Sequence, residues 1–145
     1  MTAYWLLKSE PDEWSWADQV KAKTAGWDGI RNYQAANNMK AMKVGDRAFF
    51  YHTGDERRIV GAVEIVRPYH PDPSDKSGRF GMVDVTAVAA APTPVTLAAI
   101  KADPRLTHLA LVRQTRLSVL PVDAKSWDIL CKMAGIAPRR GGGAD

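Results

Sequence analysis

Two stretches of the chain gather more polar and aromatic side chains than a packed core needs. One is Lys8-Ser9-Glu10-Pro11. The other runs Trp27-Asp28-Gly29-Ile30-Arg31-Asn32-Tyr33-Gln34-Ala35-Ala36-Asn37-Asn38. Rings beside amides and hydroxyls are what a pocket for a nucleic-acid base requires. A ring stacks on the flat face of the base, worth roughly 1–3 kcal/mol. An Asn or Gln offers donor and acceptor together and so pairs with the base edge. A base swung out of its helix needs both contacts at once. The same residues also have plainer uses. Trp27 beside a glycine turn can plug one end of a barrel. Asn32 and Asn37 can cap helices, and Ser9 can cap a turn before Pro11. Trp5, Trp14, Trp16 and Trp127 read as packing residues.

Other chemistries lack their residues. His52, His70 and His108 lie far apart, and none shows the i, i+4 spacing of a helical zinc site. The one cysteine, Cys131, makes neither an internal disulfide nor a cysteine–zinc cluster. No metal and no cofactor is expected. Cys131 falls on an apolar helix face and reads as a small buried hydrophobe. Glycine-rich phosphate loops and the Gly-x-Ser-x-Gly elbow are missing. The 145 residues suit one domain. No apolar run approaches the roughly 20 residues of a membrane helix, and no signal peptide is read at the N-terminus. A reducing, cytoplasmic setting and a monomer are expected. The net charge of +4 fits a phosphate-bearing partner without requiring one. It is unevenly spread: residues 31–58 and 101–125 each carry +3, whereas residues 1–28 carry −2.

The elements that must hold these residues follow from pattern and punctuation. Tyr4 to Leu7 predicts a strand that ends before Pro11. Ser15, with Asp18 three residues on, predicts a capped helix broken at Gly26. Residues 27–33 read as a loop, and Tyr33 to Met42 as a short helix. Lys43 to Asp46 is a turn. Arg47 to His52 is a strand, with Phe49 and Phe50 alternating across it, so that one faces the core. Ile59 to Val66 is the next strand, with Gly61 as a bulge. Pro68 to Gly78 reads as a surface loop, and Phe80 to Ala89 as a strand whose sheet Pro92 and Pro94 stop. A helix spans Thr96 to Ala102. Leu109–Val112 and Leu117–Leu120 read as extended. Asp123 caps a last helix, on which Trp127, Leu130, Cys131 and Ala134 share a face. The expected fold is α+β: a small mixed β-barrel of five to six strands with short helices packed at its ends. The domain spans residues 1–137, and 138–145 is expected to be a disordered tail.

At this point the motifs resemble a known family. Trp5-Leu6-Leu7-Lys8-Ser9-Glu10-Pro11 resembles the opening motif of the EVE domain. Trp27 to Ala35 resembles its second motif, although Ala36 stands where the family often has arginine. Met42-Lys43-Val44-Gly45-Asp46 with Phe50-Tyr51-His52 resembles the third. Ile59-Val60-Gly61, Val83-Asp84-Val85 and Leu111 to Val119 follow in the family's order, and the likeness runs from Tyr4 to Ala134.

The resemblance implies a PUA-like barrel, related to the YTH and ASCH domains, that reads a modified base without catalysis. A modified cytosine in DNA is the foremost ligand it implies, and RNA is the alternative nucleic acid. Its pocket residues would be Lys8, Ser9, Trp27, Asn32, Tyr33, Gln34 and Asn37. Tyr51 and His52 would lie nearby, with Ser118 closing one side. Arg31, Arg113 and Arg116 would contact phosphate. Two other readings stay open. One is a nucleoside amidohydrolase of ASCH type using Lys8, Ser9 and Glu64. The other is a protein-interaction module.

Overall fold

Five of the six extended segments expected from the sequence, together with an unexpected short strand at Thr24–Gly26, assemble into one mixed sheet. The computed structural model describes residues 2–138, so residues 139–145 of the expected tail lie outside them. The strands are β1 (Tyr4–Ser9), β2 (Thr24–Gly26), β3 (Arg47–His52), β4 (Arg58–Pro71), β5 (Gly81–Thr96) and β6 (Val119–Val122). Their order across the sheet is β2-β5-β4-β3-β1-β6. β1 runs parallel to β3, and every other pairing is antiparallel. Among the described residues β2 and β6 do not pair, so the sheet curls without closing. The helices are α1 (Trp16–Ala22), α2 (Tyr33–Lys40), α3 (Leu97–Ala102), α4 (Ala110–Arg113) and α5 (Ala124–Ala134). No helix among the described residues is long and apolar enough to cross a membrane.

β3 is the centre of the core, and every one of its residues is buried. Phe49 stacks on Trp127 of α5 at 4.0 Å, and Trp127 stacks in turn on Tyr4. Phe50 meets the edges of Trp16 and Trp27 at 5.3 and 5.4 Å. Both phenylalanines are therefore fully buried, where alternation had put only one inside. The reason is that aromatic side chains cover both faces of this strand. Trp16 lies flat over Gly61, where an added Cβ would meet its ring at 2.6 Å.

α1 starts at the expected capping box. The Ser15 hydroxyl accepts from the Asp18 N–H, and the Asp18 carboxylate accepts from the Ser15 N–H. The helix stops at Lys23, earlier than Gly26, because the chain turns there to form β2 against β5. Gly26 instead ends β2, where a Cβ would press on Met82 at 2.9 Å. Pro92 and Pro94 do not end β5 either. Gly61 pairs with Ala90 and Ile59 with Val95, so four residues, 91–94, oppose Val60 alone. The prolines occupy this bulge, where no ladder donor is lost. Leu109–Val112 turns into α4 rather than a strand, and Leu106, Leu109 and Leu111 all bury.

β1 is tied to β3 by one buried carboxylate. Asp46 accepts from the Ala3 N–H (3.0 Å), the Trp5 indole N–H (3.1 Å) and the Lys43 N–H (3.0 Å). The register it fixes pairs Lys8 with Tyr51 and Ser9 with His52 at the other end of the strand. On the outer side, α2 packs against β6, and the Asn38 amide donates to the Val119 carbonyl at 2.8 Å. That contact gives Asn38 its reason for sitting in a helix.

Candidate functional site

The loop that leaves β2 carries the aromatic motif, and three contacts shape it. The Trp27 N–H donates to the Val83 carbonyl at 2.8 Å, extending the ladder by one residue. Gly29 takes a positive φ of 80°, open to glycine at no cost, and its N–H donates to Asp72 Oδ2 at 2.8 Å. Arg31 donates to the same carboxylate at 3.3 Å and to the Ser74 hydroxyl at 3.0 Å. Asp72 is almost wholly buried. Burial pushes its pKa up, but hydrogen bonds from Ser74, the Gly29 N–H and Arg31 outweigh that and hold it below the usual carboxylate range.

A lowered folded-state pKa means that the carboxylate's stabilising contribution is complete above the unfolded value. It is lost only as pH falls through the depressed one. The loop is therefore expected to stay ordered down through the usual carboxylate range and to loosen only below it. Asp72→Ala leaves the Gly29 donor without its partner, a loss of about 1–3 kcal/mol. Hydrogen exchange at the Gly29 amide is expected to quicken by tenfold or more in that variant. Unchanged protection would remove Asp72 from this role.

The opposite wall comes from the end of β1. The Ser9 hydroxyl donates to the Trp14 carbonyl at 2.5 Å, and the Trp14 indole N–H donates to Gln19 at 2.9 Å. Gln19 is itself fully buried and donates to the Lys23 carbonyl at 3.0 Å. Between the two walls lies a cavity of about 460 Å³, within the range of small-molecule sites. Lys8, Ser9, Trp14, Trp27 and Ile30 line it, and Glu10, Glu13 and Asp28 add three carboxylates from exposed residues. Lys8 is half-buried, and burial draws its ammonium pKa below the ordinary value. Its Nζ donates to the Thr115 carbonyl at 3.1 Å and sits 5.9 Å from the centre of the Tyr51 ring. Burial raises the Tyr51 pKa, so the phenol keeps its proton.

Beyond that Lys8–Thr115 bond lies a second cavity of about 290 Å³, lined by Asn32, Gln34, Gln114, Thr115, Arg116 and Leu117. The sequence motif is thus divided between two places. Lys8, Ser9 and Trp27 meet in the first cavity. Asn32, Gln34 and Arg116 meet in the second. Asn32 caps α2, its side-chain oxygen accepting from the Ala35 N–H at 2.9 Å, and Gln34 donates to Gln114 at 2.8 Å.

The remaining residues stand apart from both cavities. Tyr33 is 61% exposed and packs on Phe80. Asn37 is exposed on α2, and Arg113 is exposed at the end of α4. Ser118 contributes its carbonyl, which accepts from the Lys8 N–H. Tyr51 lies beside Lys8 on the neighbouring strand. His52 is engaged through both ring nitrogens. The Trp16 N–H only donates, so His52 Nε2 accepts it at 3.0 Å, and Nδ1 carries the proton given to Glu56 at 2.9 Å. That hydrogen bond is the leading cause of the lowered Glu56 pKa.

The hydrolase set does not assemble. Arg47 and Glu64 pair across β3 and β4 at the Tyr4 end of β1, with contacts of 3.0 and 3.2 Å. Lys8 is four positions along β1 from Tyr4, which at about 3.3 Å per residue is roughly 13 Å. Glu64 is therefore out of reach of Lys8 and already engaged. A Ser–His–Asp cluster occurs elsewhere, but the one nitrogen His108 Nε2 contacts both Asp123 (2.8 Å) and Ser126 (3.2 Å). A relay needs the two ring nitrogens to face different partners.

Sequence reasoning passed over several of the residues that shape this site. Trp14 reads as packing, yet it forms a cavity wall. Glu13 gives no signal of its own. Asp72 sits in an Asp-Pro-Ser loop whose local turn is legible, but its reach to Gly29, 43 residues away in sequence, is not.

The EVE domain family model matches residues 3–133. A Rhodopseudomonas palustris protein of solved structure is 52% identical and superposes with a TM-score of 0.87, over 92% of this chain and 94% of that one. Human thymocyte nuclear protein 1 is 32% identical over 92% of this chain and 74% of its own length. A crystal structure of human THYN1 protein in complex with 5-methylcytosine-containing DNA superposes with a TM-score of 0.85 at 32% identity. That match covers 94% of this chain and all of the solved one.

Proposed function

The chain belongs to the EVE domain family, and from that premise we propose that it is a non-catalytic domain that takes a 5-modified cytosine of DNA into the cavity between Trp27 and Ser9. The carrying observation is the composition of that cavity, which joins an indole to an aliphatic wall and to carboxylates. A cytosine presents an exocyclic amino donor and, when methylated, an apolar C5 group. Asp28, Glu10 or Glu13 supplies the acceptor that the amino group needs, as carboxylates do for cytosine N4. Ile30, Ala25 and Trp27 supply the apolar contact. Thymine carries the same methyl group but an acceptor oxygen in place of the amino group, and it would meet the carboxylates unfavourably. The likeness to a protein solved with 5-methylcytosine-containing DNA supports the same choice.

The test is fluorescence anisotropy at fixed low salt, with labelled oligonucleotides carrying cytosine, 5-methylcytosine, 5-hydroxymethylcytosine, thymine or N6-methyladenine, as DNA and as RNA. A preference of at least tenfold, about 1.4 kcal/mol, is expected for a 5-modified cytosine in DNA over thymine at the same position. Equal binding throughout would leave only a salt-sensitive basic surface and would overturn the proposal.

A further inference from the structure

The two cavities differ sharply in polarity. The first has three carboxylates, Glu10, Glu13 and Asp28, against the single ammonium of Lys8. The second has no carboxylate in its lining and carries one guanidinium, that of Arg116. Its hydrogen-bonding capacity is also lopsided. Asn32 uses its side-chain oxygen on the α2 cap and keeps its NH2 donors. Gln34 and Gln114 bond to each other. Whichever way those two amides are turned, one whole NH2 remains available and only one carbonyl oxygen does. Arg116 adds five N–H donors, and Thr115 adds a hydroxyl.

A nucleic-acid strand brings one negative charge with each nucleotide. Its phosphates are repelled from the carboxylate side of the first cavity. Arg31, on that side, is already held by Asp72 and Ser74. The neighbouring donor-rich cavity is the complementary place, and the Lys8–Thr115 bond joins the two walls directly.

We infer that the second cavity is a phosphodiester subsite. Arg116 and the amide NH2 groups of Asn32 and the Gln34–Gln114 pair donate to the nonbridging oxygens of the phosphate adjoining the captured base. The inference rests on the base-reading function proposed above. It gives the bound strand a path: the backbone passes over the loop at 113–118 and not over Glu10 and Glu13.

The experiment separates base from phosphate by titrating two probes. One is the nucleoside 5-methyl-2′-deoxycytidine; the other is a trinucleotide with the same base at its centre. Calorimetry is run on the wild-type chain, Arg116→Gln and Asn32→Asp. The aspartate keeps the helix cap and replaces the amide donors with a carboxylate oxygen, so the fold is preserved. The trinucleotide is expected to bind the wild-type chain at least tenfold more tightly than the nucleoside. Both variants are expected to lose that advantage while binding the nucleoside as before. Variants that keep the full trinucleotide advantage would place the phosphate elsewhere and overturn the inference, with the base-reading function intact. Variants that lose nucleoside affinity in equal measure would also overturn it, by making the second cavity part of the base site. A wild-type chain that binds neither probe would overturn the base-reading function itself, and this inference with it.

Discussion

Trp27→Ala is expected to weaken binding of 5-methylcytosine DNA by at least tenfold and to lower folding stability by about 3–5 kcal/mol. The binding loss follows from the proposed stacking of the base on the indole, worth roughly 1–3 kcal/mol. The stability loss follows from position. Trp27 is only 6% exposed and abuts Phe50 at the core of the sheet. The tryptophan is therefore both a cavity wall and a core residue. Anisotropy below the variant's unfolding transition measures the first effect, and urea denaturation measures the second. Trp27→Phe keeps a ring and most of the packing, and it is expected to bind at an intermediate level. An alanine variant that is folded and binds normally would sink the stacking role.

Asp46→Ala is expected to cost about 3 kcal/mol or more of stability, although it lies far from the cavity. Its carboxylate satisfies the Ala3 N–H, the Trp5 indole and the Lys43 N–H, and it is 2% exposed. Each buried donor left without a partner costs about 1–3 kcal/mol. Asp46→Asn is expected to be damaging as well, because an NH2 group would face N–H donors. The consequence for function is positional. The parallel register of β1 on β3 sets Lys8 and Ser9 at the cavity, so loosening its origin degrades the site along with the fold. Urea unfolding with a loss under 1 kcal/mol would show that water replaces the carboxylate and that the clasp matters little.

Much of this was legible in the sequence wherever a local signal and the tertiary demand agree. The Ser15–Asp18 box, the Asp123 cap, the turn at Gly45 and the apolar face of α5 are of that kind. β1 and β3 were legible because dense apolar runs ended at clear breakers. Legibility failed where a residue's usual habit was met by a special local geometry. Pro92 and Pro94 sit in a bulge that spares their missing donors, and Gly26 serves close packing instead of helix termination. In the site, the residue types were readable but their allocation was not. Trp27 and the Lys8–Ser9 end of β1 lie on separate segments that converge, whereas Asn32 and Gln34, close to Trp27 in sequence, face a different cavity. The loop between Trp27 and the start of α2 is enough to send neighbouring side chains to different places. Sequence adjacency alone does not say which.

The open sheet leaves two outer strands, and unpaired backbone on such strands invites addition of a strand from another molecule. β2 offers only three residues. β6 offers four, of which Pro121 has no N–H to give, and the carbonyl of Val119 is already taken by Asn38. Neither margin is long enough to template cross-strand growth. The EVE sheet can thus remain unclosed without a long end strand on either side to template growth.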